Sequence, residues 1–185
     1  MRQQRGGFSL VETAVILVMI GLLTAIMAPR LRMSDSTRVR QAARQLAADL
    51  EVVRTRALST TTLVRVTFDP VAGRYTGYLD NDRNGAFVQN AAENGALVVF
   101  RNRTLTDGVR IARGAVPNVP GMPGAGAITL PNSRIEFGTM GITNPFGTTG
   151  VVYLNSANDP TAIAAVSISA AAGIRVWVFR GGVWQ

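Results

Sequence analysis

Residues 8–29 form an apolar stretch that a water-facing domain cannot carry on its surface, and it dictates where this chain can reside. The stretch opens Phe8-Ser9-Leu10-Val11-Glu12 and runs from Ala14 to Ala28, broken only by Gly21 and Thr24. As a helix its 22 residues span roughly 33 Å at about 1.5 Å per residue, enough to cross a bilayer core. Val, Ile, Leu, Met and Ala recur on all faces, so the segment belongs in lipid or inside a bundle. Glu12 breaks the pattern. A carboxylate at the centre of a membrane helix costs on the order of 2.5–3.5 kcal/mol, somewhat less near an end, and such a residue usually has a partner.

Ahead of the stretch lie Met1-Arg2-Gln3-Gln4-Arg5-Gly6-Gly7, short, basic and polar. A secretory signal would end in small residues at a cleavage site. Ala28 is small, but Pro29 would follow the cut and Ile26 would stand third before it, a poor site. A plain signal anchor leaves Glu12 unexplained. Gly7-Phe8-Ser9-Leu10-Val11-Glu12, between a basic leader and an apolar run, resembles the class III signal of type IV prepilins and pseudopilins. The resemblance implies a prepilin peptidase that cuts between Gly7 and Phe8 and N-methylates Phe8. It makes Glu12 the fifth residue of the mature chain and matches Pro29 to the helix-kinking proline of that family. The new ammonium on Phe8 of one subunit could then neutralise Glu12 of its neighbour, and opposite charges attract far more strongly in a low-dielectric core than in water.

One observation opposes this topology. Seven arginines lie in residues 30–56 against two in the leader, and a plain charge count would place the C-terminal side in the cytoplasm. The cleavage signature requires the reverse: a single-pass protein of the inner (cytoplasmic) membrane, its C-terminal domain in the periplasm.

Cysteine and histidine are absent, and all 19 basic residues are arginine. Disulfides, zinc-thiolate sites, thiol nucleophiles, imidazole bases and Schiff-base lysines are excluded together. Carboxylates, hydroxyls and Arg remain, and no enzyme is expected; a membrane-anchored hydrolase using carboxylates is the reading from another class. The net charge of +8, or +6 without Arg2 and Arg5, suits anionic partners: lipid headgroups, nucleic acid or acidic neighbouring subunits.

Beyond the stretch, Pro29 should kink the helix, and Ser34, Asp35 and Ser36 are candidate caps for its restart. Val39, Ala43, Leu46, Leu50, Val53 and Ala57 then recur at spacings of four and three, one apolar seam on a helix reaching about Ser59. Arg38, Arg40, Arg44, Arg54, Asp49 and Glu51 are assigned to its other faces. Strands are predicted at 63–69, 74–79, 97–103, 109–112, 134–137, 151–154, 163–169 and 174–179, each flanked by Gly, Asn or Pro. Residues 114–127, with three prolines and four glycines, read as a mobile loop. The whole predicts an α+β protein, a long N-terminal helix packed on an antiparallel sheet domain. The parts are a leader (1–7), an assembly helix (8–29), its amphipathic continuation (30–60) and a β-rich domain (61–185).

Several phrases are similar to the GspH/FimT group of minor pilins and pseudopilins. They are Val64-Arg65-Val66-Thr67-Phe68 after the helix, Ile135-Glu136-Phe137-Gly138, Gly150-Val151-Val152-Tyr153-Leu154, and the closing Val166–Ser169 with Gly173-Ile174-Arg175-Val176. This implies a subunit of a type IV pilus or type II secretion filament, with other pilin or pseudopilin subunits as partners and no cofactor. A DNA-binding minor pilin for natural transformation is the alternative.

Two local sites merit attention. Asp80-Asn81-Asp82-Arg83-Asn84-Gly85 fits the opening of a calcium loop, with Asp80, Asp82 and Asn84 as ligands. Its twelfth position is Ala91 rather than Glu, so an Asn/Asp/Gly hairpin turn competes. Some FimT-like pilins bind DNA through a C-terminal Gly-Arg-x-Arg stretch. Here Gly173-Ile174-Arg175-Val176-Trp177 keeps part of it, with Arg175 and Arg180 as phosphate contacts and Trp177 and Trp184 as stacking partners. Arg101, Arg103, Arg110 and Arg113 form a second basic group, either solvated or facing acidic neighbours.

Overall fold

The computed structural model describes residues 9–27, 34–80, 82–84, 87 and 98–185. The chain divides into two compact units, residues 1–34 and 35–185.

The first unit is the helix α1, Leu10–Met27. Ser9 caps it, its Oγ accepting the Glu12 amide N–H at 3.2 Å. Eighteen residues make about 27 Å of helix. Among the described residues no helix is long and apolar enough to cross a membrane; Phe8, Ala28 and Pro29 lie outside them. Apolar side chains are exposed at consecutive positions from Val15 to Ile20, hence on every face. Nothing within α1 covers them.

The second unit opens with α2, Asp35–Thr60. All six seam residues are buried, and Ala42 widens the stripe. Asp49 is buried as well, at 5% exposure, against its expected place on an outer face. Strands follow: β1 Val64–Asp69, β2 Arg74–Leu79, β3 Val98–Thr104, β4 Val109–Ile111, β5 Arg134–Phe137, β6 Gly150–Ser156, β7 Ile163–Ile168, β8 Ile174–Arg180 and β9 Val183–Trp184. They pair antiparallel in two sheets, β3-β2-β1-β5 and β4-β6-β7-β8-β9. The seam of α2 lies across both: Leu46, Leu50 and Val53 share one core with Val64 and Val66 of β1 and with Val152, Leu154, Ala164 and Val166 of β6 and β7. The architecture is α+β, as expected, with two sheets rather than one.

β6 and β7 are buried at every position, so their second face is covered too. The cover is the segment read as mobile. It leaves β6 where Ala112 N–H bonds Tyr153 O (3.1 Å) and returns where Tyr153 N–H bonds Ala127 O (2.8 Å). Between these points Val116 and Val119 pack on Val151, Tyr153, Ile163 and Ala165, joined by Met122, Trp177, Phe179 and Trp184. Arg113 donates to Val116 O at 3.0 Å and Gly124 O at 3.1 Å, and Trp184 Nε1 donates to Pro117 O at 3.1 Å. Gly114 starts the crossing at φ +67°, where a Cβ would stand 2.8 Å from Ile163 Cδ1. Prolines and glycines here shape a packed strap. Both cores lie within residues 35–185, which therefore carry everything an independently folding domain needs.

Buried Asp49 is held from three sides. Tyr75 Oη donates to its Oδ2 at 2.6 Å, Arg103 Nε to the same oxygen at 3.2 Å, and Gln45 Nε2 to Oδ1 at 3.0 Å. The carboxylate thus ties α2 to β2 and β3. Asp49→Ala leaves the buried Tyr75 hydroxyl unpaired and half-exposed Arg103 without its carboxylate, and should cost about 2 kcal/mol in urea unfolding; a loss near zero would show the network to be incidental. Burial, then the hydrogen bond to Asp49, then the charge of Asp49 raise the Tyr75 phenol above its ordinary 10.0. The unfolded chain releases this proton near pH 10 while the folded chain keeps it, so stability is complete below that pH and falls above it. Tyr75→Phe should flatten that alkaline fall, read as Tm against pH.

Candidate functional site

α1 satisfies its own polar side chains with one exception. Thr13 Oγ1 donates to Ser9 O at 2.9 Å, Thr24 Oγ1 donates to Ile20 O at 2.7 Å, and Ser9 is the cap. The Glu12 carboxylate has no partner among the described residues. Ser9-x-x-Glu12 has the spacing of a capping box, legible in the sequence, of which only the Ser9 half forms. A carboxylate in the first helical turn is favoured by the positive end of the helix dipole, which lessens the cost of Glu12 there. Gly7, Phe8 and Pro29 lie outside the described residues.

The three candidate calcium ligands do not share one environment. Asp80 is buried, at 2% exposure, whereas Asp82 and Asn84 are exposed. Asp82 accepts from Asn84 Nδ2 at 2.7 Å and from its backbone N–H at 3.3 Å, as in an Asx turn. Among the described residues no three carboxylates or imidazoles gather as a metal site would need; Asn81, Gly85 and Ala91 lie outside them.

Arg175 and Arg180 both lie exposed on β8, but they are an odd number of residues apart, and successive side chains of a strand point to opposite faces. Arg175 shares the strap face with Trp177, its guanidinium 5.3 Å from the indole centroid. Trp177 Nε1 donates to Ser167 Oγ at 2.9 Å. Arg180 faces the α2 side, lining a cleft with Arg40 and Arg44. The two arginines proposed to act together are therefore separated by the sheet, and the partners Arg180 does have were missed because they lie far away in sequence. Three of the second basic group separate likewise: Arg103 pairs with Asp49, Arg113 clamps the strap, and Arg110 stands exposed on β4, while the Arg101 side chain lies outside those described.

A long amphipathic helix laid across antiparallel sheets, preceded in the chain by an apolar helix, is pilin-like architecture. The profile of the family described as type II transport protein GspH matches residues 42–172, and the chain belongs to that family. Among solved structures, the type IV minor pilin FimU of Pseudomonas aeruginosa aligns at 14% identity over 80% of this chain and 93% of its own, with a TM-score of 0.51. The minor pseudopilin EpsH of the Vibrio cholerae type II secretion system aligns at 13% identity over 77% and 97%, with a TM-score of 0.50. At these identities the likeness is one of fold. No curated protein sequence matches the chain. Membership of the type II transport family GspH, with its pilin-like fold, defines a structural filament subunit rather than an enzyme.

With Asp80 buried and its neighbours bonded to each other, millimolar calcium should leave the melting temperature where it is. A rise of several degrees would restore the loop as a cation site.

Proposed function

We propose that this subunit is made as a precursor, cut by a prepilin peptidase between Gly7 and Phe8, and N-methylated on Phe8. Residues 8–29 then hold it in the cytoplasmic membrane as a single pass, with residues 30–60 continuing the helix and 61–185 forming the periplasmic domain. Assembly moves the apolar helix from lipid into the filament, where Glu12 meets the Phe8 ammonium of a neighbouring subunit. Pro29 supplies the kink that joins the two helical parts.

The observation that carries this reading is the unmatched Glu12 carboxylate in a helix whose hydroxyls are all satisfied internally. Exposed apolar side chains around the whole of α1 support a lipid or filament environment. Mass spectrometry of the exported protein should find a chain starting at methylated Phe8; an intact Met1 would end the reading. Glu12→Ala should be cut normally yet enter filaments at least tenfold less, and normal incorporation would remove the charge pairing while leaving cleavage in place.

DNA uptake is the second reading, favoured by exposed Arg175 set beside the half-buried Trp177 on β8. On that reading the domain retards DNA at low ionic strength, with affinity falling steeply as salt is added and lost in Arg175→Ala. No retardation at low salt would dispose of it.

A further inference from the structure

Three cations converge where β8 meets the first half of α2. Arg40 and Arg44 stand four residues apart on the helix, Arg180 closes β8, and between them lies a cleft of about 290 Å³ lined also by Val176, Val178 and Gln185. Like charges at this helical spacing repel. Among the described residues none of the three guanidinium groups has an ion pair or hydrogen bond. Elsewhere in the domain Arg54, Arg65, Arg74, Arg103 and Arg134 each reach a carboxylate. The cleft therefore gathers positive charge that the chain itself does not neutralise.

We propose that Arg40, Arg44 and Arg180 form a binding cleft for the phosphate headgroup of an anionic phospholipid. Guanidinium groups match phosphate oxygens in a planar, two-pronged geometry and are held on stems that pack against apolar surface. A cleft of this volume, with Val176 and Val178 in its lining, suits one phosphate with apolar matter beside it. A nucleic-acid backbone offers phosphates strung along a line, and a track of cations would fit it better. The sequence favours lipid too: only seven residues, 28–34, separate Met27 from Asp35. This proposal rests on the membrane-anchored reading above. It predicts binding by the folded domain itself, so its failure would leave cleavage and assembly standing.

The test is co-sedimentation of residues 35–185 with vesicles of phosphatidylcholine alone or mixed with phosphatidylglycerol. Circular dichroism and Tm must first show each variant folded. Binding is expected to the mixed vesicles only. R44Q/R180Q, which alters two exposed side chains, should bind about thirtyfold more weakly, at roughly fivefold per arginine near an anionic surface. R56Q/R110Q removes the same charge elsewhere, at two exposed arginines, and should bind like the parent domain. Equal loss in both variants would reduce the effect to net charge and overturn the cleft. So would displacement by inorganic phosphate at constant ionic strength, which would mark a free-anion site. Failure to bind mixed vesicles, or DNA retardation abolished by R44Q/R180Q without vesicle binding, would overturn the lipid assignment.

Discussion

Burial of the β6–β7 pair on both faces is the constraint from which the rest of the domain follows. A strand covered on one side can alternate apolar and polar residues, but one covered on both must be apolar or internally bonded throughout. Val151-Val152-Tyr153-Leu154 and Ile163-Ala164-Ala165-Val166 meet that demand with unbroken runs. The α2 seam takes one face. The other falls to the 113–126 strap, whose ends are pinned by the same residue, Tyr153, through its backbone N–H and C=O. The Tyr153 hydroxyl then accepts the Val119 N–H at 3.2 Å, so the side chain that fills the second core also fixes the strap above it.

Local pattern carried much of this fold in the sequence, because the forces that set it are local. The seam of α2 is a 3.6-residue period, and all its members are buried. Strands 74–79 and 134–137 coincide with their predicted bounds, and most others differ by a residue or two at an end, since Gly, Asn and Pro interrupt both patterns and backbones. What failed depended on partners distant in the chain. Asp49 looks solvent-facing on a helical wheel until Tyr75 and Arg103 arrive 26 and 54 residues later. The strap looks mobile by composition, yet Val116 and Val119 only make sense beside the apolar runs they cover. Those runs were themselves the available clue, since unbroken apolar strands announce a second covering layer. The two-residue β9 leaves too short a pattern to read.

The candidate sites divide along the same line. Parity along β8 was available from the sequence and already places Arg175 and Arg180 on opposite faces, which makes a shared phosphate track hard to build. The meeting of Arg180 with Arg40 and Arg44 was not available, because it depends on how α2 crosses the second sheet. The family match ends at residue 172, before β8 begins, so the properties of this strand are argued from its own geometry.

On the proposed reading, the driving force for assembly has one instructive feature. Moving an apolar helix from lipid into a bundle of like helices gains little from hydrophobicity, because lipid tails are about as apolar as Leu and Val. Close packing contributes in either direction. A carboxylate does distinguish the two environments: in lipid it faces hydrocarbon or snorkels toward water, whereas in a filament a neighbour can present a cation at fixed distance. The domain supplies a contrasting case, for its own buried carboxylate, Asp49, already has three donors and no need of a second subunit. α1 leaves its single carboxylate unmatched among the described residues, and on the proposed reading that difference between two acids of one chain is the reason association is sought in the helix.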